Sequence, residues 1–458
     1  MASVVFYGWW SVPFLGLLIV SCTFNYLVGK FLRRSPSKPL LWFGIAANIA
    51  LIAFFKYLPF FAGEAGLALT GPLADIVLPI GISFYTFQQI SFLVDSYRRE
   101  RSSAAFFEYV LFVIFFPQLI AGPIMHHSDT IPQIKALKTS EAWKAFALSG
   151  PAYFVFGLSL KVLVADTLAP WADRAFDLAQ ADTYIGLATA WLGISSYTMQ
   201  IYFDFAGYSL MAIGLAQMLG IVIPVNFYSP YKSTSIIEFW RRWHITLSRF
   251  LRDYVYIPLG GNRVGAVRQN LNLFLTMLIG GIWHGAGWTF MVWGALHGLY
   301  IVANHAWRRT GIAIPRLLGW AMTMVGVGFA WIYFRSETME AAENFIGALT
   351  QPITDIGTIA DETAPDAIQM GAVDWMQWAF VAGVCLIAFL APNVVQILSR
   401  FGGVLMVSDL APLPSRLGAM RTAHIAVATI LLGFISGATM YVRAFVIGAH
   451  QPFLYFQF

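Results

Sequence analysis

The chain has 458 residues, of which 58% are hydrophobic and only 11% are charged. A soluble globular domain has about 45–50% apolar and roughly 25% charged residues, so this chain has too little charge to cover a water-exposed surface of its size. The net charge of +5 comes from short basic clusters between apolar runs, which is typical of cytoplasmic loops and argues against nucleic-acid binding.

Apolar runs follow one another along the chain, many of them near the ~20 residues of a membrane-spanning helix. We therefore predict an all-α polytopic membrane protein with about 10–13 transmembrane helices. The pattern shows no separate soluble domain and no repeat of fixed period, so residues 1–458 are treated as one transmembrane domain. The runs lie near 6–32, 40–61, 74–94, 104–124, 151–170, 185–203, 205–223, 271–283, 286–307, 313–334, 376–399 and 422–448.

Basic loops predict the orientation. Lysine and arginine cluster at 33–38 and at 98–101, whereas Glu64 and Asp75 lie in a stretch without basic residues. The positive-inside rule therefore places the N-terminus outside and the first and third loops in the cytoplasm. The first run is too long for a signal-peptide core and is not preceded by basic residues, so we expect a transmembrane helix. The acidic segment 350–375 is predicted to be a loop on an undetermined side.

Residues 224–270 interrupt the apolar pattern because arginines alternate there with aromatic residues. A helix of this composition is too charged to face lipid and too aromatic to lie free in water. We therefore predict an interfacial or re-entrant helix near 235–260, lining a cavity if it is re-entrant. The glycine pair at 260–261 is typical of a turn that ends such a helix.

Side-chain spacing supports a helix that begins at Ser235. Ser235 and Glu238 match the S-x-x-E pattern of a capping box. Glu238 would face Arg242, and Arg249 would face Asp253, both at the i,i+4 spacing of helical ion pairs.

His284 is the strongest candidate for chemistry. It lies in IGGIWHGAGW, residues 279–288, and an ionisable residue at membrane depth is a functional candidate by default. The flanking glycines allow a backbone or a thin substrate to approach closely, and Trp283 and Trp288 would form rigid walls. A neutral imidazole there could act as a general base on a hydroxyl nucleophile. The alternative is a structural histidine hydrogen-bonded between helices.

Two other histidines are weaker candidates. On a regular helix, His297 would share one polar-tipped stripe with Trp293, Tyr300 and Asn304. His244 lies in the charged helix, where the alternative is an ordinary interfacial histidine. No role is assigned to His126, His127, His305, His424 or His450.

Asp204 lies in the run MQIYFDFAGYS and is expected to be buried. It could orient a histidine, pair with an arginine of residues 241–252, or form a purely structural ion pair. Lys161 and Asp166 are most simply an ion pair or the snorkelling ends of a helix.

Other catalytic motifs are missing from the sequence. It contains no G-x-S-x-G elbow, P-loop, H-E-x-x-H or G-x-G-x-x-G. Cys22 and Cys385 are far apart in apolar runs and are expected to be inert buried thiols. No metal site is predicted.

The string EFWRRWHITLSRFLRDYVYIPLGGNR (238–263) and the string GGIWHGAGWTFMVWGALHGLY (280–300) resemble the membrane-bound O-acyltransferase (MBOAT) family. The resemblance is to its bacterial branch, which includes the alginate O-acetyltransferase membrane subunit. Shorter matching stretches extend it over almost the whole chain, at 78–98, 115–133, 199–220, 331–345 and 452–458.

The resemblance implies a helical core around a tunnel with a near-invariant histidine inside. That histidine corresponds to His284, and a second polar position, His or Asn, corresponds to His244. The catalytic core segment would be residues 224–310. We add as tunnel residues Asp204, Trp283, Trp288 and His297, and as binding residues for cofactor phosphates Arg241, Arg242 and Arg249.

One stretch departs from the pattern of the relatives. They usually read FDFSGYSDMA where this chain has FDFAGYSLMA, so Ala206 and Leu210 replace a hydroxyl and a carboxylate. If that carboxylate positions substrate in the relatives, the substrate of this chain differs from alginate.

The resemblance implies an O-acetyltransferase of the bacterial inner membrane, with no tightly bound cofactor. Acetyl-CoA, or another acyl thioester, would be the cytoplasmic donor, and a periplasmic partner enzyme would pass the acetyl group to an exopolysaccharide. The alternatives are transfer of D-alanyl or a longer acyl group to another cell-envelope acceptor, a transporter, or a scaffold of an exopolysaccharide system.

Overall fold

A computed structural model of the chain describes residues 1–74, 76–99, 104–137, 146, 148–351, 375–398, 422–447 and 453–454. These residues are mostly helical, and four π-helical turns at 53–57, 160–165, 252–256 and 442–447 continue helices without a break. The helices are α1 (Ala2–Trp10), α2 (Val12–Arg34), α3 (Lys38–Ile52), α4 (Leu58–Glu64), α5 (Ile82–Arg98), α6 (Phe106–Ile114), α7 (His127–Ala136), α8 (Ser149–Ser159), α9 (Asp166–Gln180), α10 (Leu187–Met218), α11 (Ile236–Arg242), α12 (Ile245–Leu251), α13 (Ala266–His284), α14 (Trp288–Arg309), α15 (Arg316–Arg335), α16 (Met339–Leu349), α17 (Trp375–Leu390), α18 (Val394–Ile397) and α19 (Thr422–Tyr441).

Several helices are long and apolar enough to cross a membrane. Five such segments occur within the described ranges, at Val12–Arg34, Lys38–Glu64, Ser149–Gln180, Arg316–Arg335 and Ala423–Ala444. The helices α10, α13 and α14 are also long, with 32, 19 and 22 residues, and most residues of α10 are buried inside the protein. The predicted all-α, multi-pass membrane architecture is therefore confirmed.

Four predicted runs have different boundaries in the structure. The runs 185–203 and 205–223 form one helix, α10, of 32 residues, because nothing between them breaks a helix. The run 104–124 gives only α6, whose nine residues extend about 14 Å and cannot cross a ~30 Å hydrocarbon layer. The first run is divided at Ser11, which has extended backbone angles. The predicted acidic loop lies outside the described residues except for its first two positions and Trp375.

The charged segment near 235–260 is not one helix. It consists of α11 and α12, with Trp243 extended and His244 left-handed (φ 43°) between them. The cap at Ser235 and the Glu238–Arg242 ion pair (2.9 Å) are both present. Most of the aromatic side chains lie inside the protein, so the re-entrant alternative describes this segment better than the interfacial one.

Two pairs of glycines bring α8 and α10 into backbone contact. Gly150 lies against Gly214, and Gly157 lies against Gly207, so both helices repeat glycine after seven residues. A methyl group added to Gly207 would lie only 2.7 Å from the carbonyl oxygen of Gly157. Small residues at such a crossing provide the close van der Waals packing that joins helices in lipid.

We expect Gly207→Ala to destabilise the protein by about 1–3 kcal/mol, because the added methyl group must push two backbones apart. Gly328→Ala in α15 is the matched control, since a methyl group there meets no atom within 4 Å and alanine favours helix by up to ~1 kcal/mol. Thermal unfolding in detergent should show a lower midpoint for the first variant only. Equal midpoints would mean that the glycine contact is not important for packing.

Candidate active site

His284 is the last residue of α13, where the chain leaves the helix inside the protein. Gly281 and Gly294 allow α13 and α14 to approach until a methyl group on Gly281 would lie 2.4 Å from the carbonyl oxygen of Phe290. The chain after His284 is extended at Gly285, and α14 begins at Trp288. His284 is therefore held at a tight helical hairpin, and it is only 7% exposed.

The carbonyl groups at the end of α13 accept hydrogen bonds from the π-turn 53–57. The Lys56 ammonium donates to the carbonyl oxygens of Trp283 (2.8 Å) and His284 (2.6 Å). The Tyr57 hydroxyl donates to the carbonyl oxygen of Ile282. The last turn of a helix leaves its carbonyls without intrahelical partners, and these side chains provide them.

His244 occupies the break between α11 and α12. Two backbone hydrogen bonds hold this break, from Tyr228 N–H to Arg242 (3.0 Å) and from Ile245 N–H to Asn226 (3.0 Å). A left-handed conformation is unfavourable for a residue other than glycine, so the neighbouring segment must stabilise it. The break turns the His244 side chain into the protein, where it is 1% exposed.

Asn226 fixes the tautomer of His244. Its Oδ1 lies 3.1 Å from His244 Nδ1 and also accepts hydrogen bonds from the amide and hydroxyl groups of Thr246. Because this oxygen can only accept, His244 Nδ1 carries the proton in the neutral ring. Nε2 is then the atom of His244 with a lone pair.

His244 and His284 line one small inner cavity, and their ring centroids are 6.4 Å apart. The volume of this inner cavity is about 10 Å³, which is room for no more than one water molecule. Edge-on contacts at 5.0 Å from Trp293 and 5.2 Å from Phe334 hold the His284 ring. The other lining residues are Ile201, Asp204, Phe205, Trp243, Trp331 and Leu454.

His284 also lines a second, outer cavity of about 120 Å³. Its other walls are Lys56, Trp283, Ile120 and the segment 78–84. His284 is thus the residue that these two cavities share.

A third cavity, of about 380 Å³, is lined by residues of α11 and α12. Arg241, Arg249, Arg252 and His305 line it, together with Met277 of α13. Met277 and His284 are seven residues apart on one helix, so His284 lies about 10 Å along the axis from this cavity.

The predicted arginines divide into two groups. Arg241 and Arg249 line this third cavity, and Arg249 also pairs with Asp129 at 3.0 Å. Arg242 does not line it, because it is 4% exposed and bonded to Glu238 and the carbonyl oxygen of Tyr228. Arg252, which the sequence did not predict as a binding residue, also lines this third cavity.

Asp204 lines the inner cavity but does not pair with an arginine of residues 241–252. The glycine contact between α8 and α10 brings Lys161 to 2.7 Å from Asp204, and Lys161 also binds Asp166 at 2.7 Å. Asp204 in addition accepts a hydrogen bond from the amide of Leu454 (2.9 Å). The structural ion pair is the arrangement observed.

The other predicted tunnel residues are placed differently. Trp283 makes an edge-on contact with His284 and lines the outer cavity. Trp288 does not line either cavity at His284: it is half-exposed, and its indole donates to Glu64 (3.0 Å). His297 is fully buried behind the inner cavity, where it contacts Trp293 and accepts a hydrogen bond from Trp240 (3.2 Å).

The sequence reasoning did not find Lys56, Tyr57 or Asn226. Lys56 could have been found, because it is a lone charged residue within the apolar run 40–61. Asn226 has no sequence feature that marks it as functional, since its role depends on the interruption between α11 and α12, which its neighbouring residues do not predict. No group of three or more His, Cys, Asp or Glu that could hold a metal is found in the described part of the chain.

The two residues that depart from the expected pattern lie together. Ala206 and Leu210 line an apolar cavity of about 320 Å³, together with Ser209 and Asn226. A carboxylate at position 210 would therefore have faced the neighbourhood of the asparagine that holds His244.

The chain matches the model of the membrane-bound O-acyltransferase family over residues 38–335. It is 43% identical over 378 residues to a peptidoglycan O-acetyltransferase of Helicobacter pylori, covering 75% of this chain and 71% of that protein. It is 42% identical over 358 residues to a probable alginate O-acetylase AlgI of Pseudomonas aeruginosa, covering 75% of this chain and 67% of that protein. A teichoic acid D-alanyltransferase of Streptococcus thermophilus is 30% identical over 243 residues, covering 50% of this chain and 57% of that protein.

The matched range contains both histidines, the break at His244 and the hairpin that carries His284. It covers more than half of the chain, and relatives above 40% identity cover three quarters of it. The chain is an O-acyltransferase, and it belongs to the membrane-bound O-acyltransferase family.

Proposed function

We propose that this protein transfers an acetyl group from a cytoplasmic thioester to an extracytoplasmic cell-envelope polysaccharide, with His284 as the general base. The observation that carries the proposal is the position of His284. It lines both the inner cavity that it shares with His244 and the outer cavity, while the arginine-lined cavity lies about 10 Å away along α13. One imidazole could therefore be reached from two directions.

The basic helix ends support a cytoplasmic position for the arginine-lined cavity. The indole of Trp288 at the start of α14 binds Glu64 at the end of α4. From this contact, α14 runs to Arg308 and Arg309, and the segment 38–64 runs back to Lys38. Both helices thus have their basic ends on the same side, which the positive-inside rule assigns to the cytoplasm. The outer cavity then faces outward, and the N-terminus lies outside.

The proposed reaction needs one proton acceptor and one donor. His284 removes the proton from the acceptor hydroxyl as its oxygen attacks the thioester carbonyl carbon and the C–O bond forms. The tetrahedral intermediate collapses, the C–S bond breaks, and the thiolate leaves with the proton that His284 returns. The products are the acetyl ester and the free thiol.

The developing oxyanion requires a preorganised donor, worth about 2.7–4 kcal/mol when removed. His244 and the backbone amides beside Gly285 and Gly287 are our candidates. His244 lies across the inner cavity from His284. Because Asn226 holds the proton of the neutral ring on Nδ1, His244 would act as a donor only after Nε2 takes up a second proton. Trp293 adds a third option, because its buried indole N–H has no hydrogen-bond partner among the described residues.

The donor is proposed to be acetyl-CoA, bound through its phosphates by Arg241, Arg249 and Arg252. Guanidinium groups match phosphate geometry, and these three line one cavity. The inner cavity supports a small acyl group, since an acetyl group displaces less of the aromatic wall than a longer chain does.

The acceptor and the partner follow from the relatives. Two of them are named for O-acetylation of peptidoglycan or alginate, which favours a cell-envelope polysaccharide here. The replacement of a carboxylate by Leu210 argues against alginate itself. We propose that a periplasmic partner enzyme completes the transfer and that residues 224–310 form the catalytic core segment. D-alanyl transfer is the second candidate, because a teichoic acid D-alanyltransferase is also a relative.

We expect His284→Ala to lower acetyl transfer by at least about 100-fold, since a general base contributes about 10²–10⁴-fold. His244→Ala should lower it by about 10²–10³-fold if His244 is the oxyanion donor. The measurement is transfer of labelled acetyl from acetyl-CoA in proteoliposomes that contain the partner enzyme. His424→Ala, at an exposed position of α19, is the matched control and should keep full activity. Full activity of the His284 variant would remove the role proposed for it.

Arg241→Gln should raise the donor KM several-fold, up to about tenfold, because one charge-assisted phosphate contact is lost at an exposed site. Arg268→Gln, an exposed arginine of α13 that does not line the cavity, should leave KM unchanged. Arg242→Gln should instead lower the thermal midpoint, because it leaves Glu238 without its buried partner. Titration with acetyl-CoA at two salt concentrations measures the donor KM, and thermal unfolding measures the midpoint. An equal KM for Arg241→Gln and wild type would place the phosphates elsewhere.

A further inference from the structure

We propose that Lys56 and Tyr57 form a clamp that positions His284 for proton transfer. The inference rests on the proposed role of His284 as general base. Neither side chain has to touch the substrate for this purpose, so both are positioning residues. The π-turn that carries them is far from His284 in sequence and meets it only in the folded bundle.

The clamp binds three successive carbonyl groups. The Tyr57 hydroxyl donates to the carbonyl oxygen of Ile282, and the Lys56 ammonium donates to those of Trp283 and His284. The last residues of α13 are therefore held from one side. A lysine at a helix C-terminus is also favoured by the helix dipole. A charged group is costly at membrane depth, and two short hydrogen bonds to carbonyls offset part of that cost.

The π-turn itself explains how two adjacent residues reach the same helix end. A π-helical turn contains one extra residue in its hydrogen-bonded ring and so changes the direction of the side chains that follow. Here it lies between α3 and α4, and Pro59 follows it in the first turn of α4. Such turns frequently occur at functional sites.

The position of His284 makes backbone anchoring important. On its C-terminal side the chain is extended at Gly285 and Gly287, so no helical hydrogen bonds restrain the peptide there. Trp283, Trp293 and Phe334 contact the ring edge-on. The clamp fixes the backbone that carries this ring.

The chain contains a matched example of the same interaction away from the histidines. Lys232 donates to the carbonyl oxygens of Leu390 (3.3 Å) and Ala391 (2.6 Å) at the end of α17. Lys232→Met removes a lysine from a helix C-terminus in the same way, but from a helix that carries no histidine. A purely structural role for Lys56 would make the two lysine variants behave alike.

The test compares Lys56→Met, Lys56→Arg, Tyr57→Phe and Lys232→Met in the proteoliposome assay. A displacement of about 1 Å costs about 100-fold in rate, so we expect Lys56→Met to lower kcat by up to about 100-fold with donor KM changed less than about twofold. Lys56→Arg should restore part of kcat, and Tyr57→Phe should lose less than Lys56→Met. Lys232→Met should lose far less kcat than Lys56→Met, because Lys232 lines none of the three cavities around His284. Tyr57→Phe, which removes a single hydroxyl group, serves if Lys56→Met does not fold.

Hydrogen exchange provides a readout that needs neither donor nor acceptor. Amides of residues 280–284 should exchange faster in Lys56→Met than in wild type, and those of Lys232→Met should not. Wild-type kcat for both Lys56→Met and Tyr57→Phe, in a protein whose His284→Ala variant is inactive, would overturn the clamp alone. Equal loss of kcat in the Lys56→Met and Lys232→Met variants would also overturn it. Activity of His284→Ala would instead overturn the proposed function.

Discussion

Backbone polar groups that lie inside a membrane protein must find partners within the protein, and the candidate active site depends on that constraint. Both histidines stand where a helix stops in the interior. At His244 the helix is interrupted between α11 and α12, and the segment 226–228 forms hydrogen bonds with the backbone groups that the interruption leaves without helical partners. At His284 the freed carbonyls accept hydrogen bonds from Lys56 and Tyr57. Each histidine therefore owes its position to a distant segment that stabilises an interrupted helix.

The sequence predicted those features that depend on residues close together in the chain. Composition predicts the helical membrane class, and spacing within one helix predicts the cap at Ser235 and the Glu238–Arg242 pair. The ion pair of Lys161 with Asp166 was also predicted, and it is present. These features are local, so no knowledge of the packing is needed.

The features that the sequence could not predict depend on packing between segments. The break at His244 is stabilised by Asn226 and Tyr228, and neither signals a break by its own sequence context. Asp204 meets Lys161 because glycines bring α8 and α10 together, so pairing with an arginine of residues 241–252 was a wrong alternative. Burial of Arg242 likewise depends on how α11 enters the bundle.

The volume of the inner cavity has a consequence for the membrane as a whole. An enzyme with cavities on both sides of one imidazole could let protons leak across the membrane. The membrane potential favours this leak, since each elementary charge that crosses gains about 2.3 kcal/mol per 100 mV. The inner cavity has room for no more than one water molecule, and its wall is largely aromatic. Within the described residues, the inner cavity leaves no room for a continuous chain of waters past His284. If the transferred group is the acetyl group that we propose, the same tight packing that favours a small acyl group would also limit proton leakage across the bilayer between catalytic cycles.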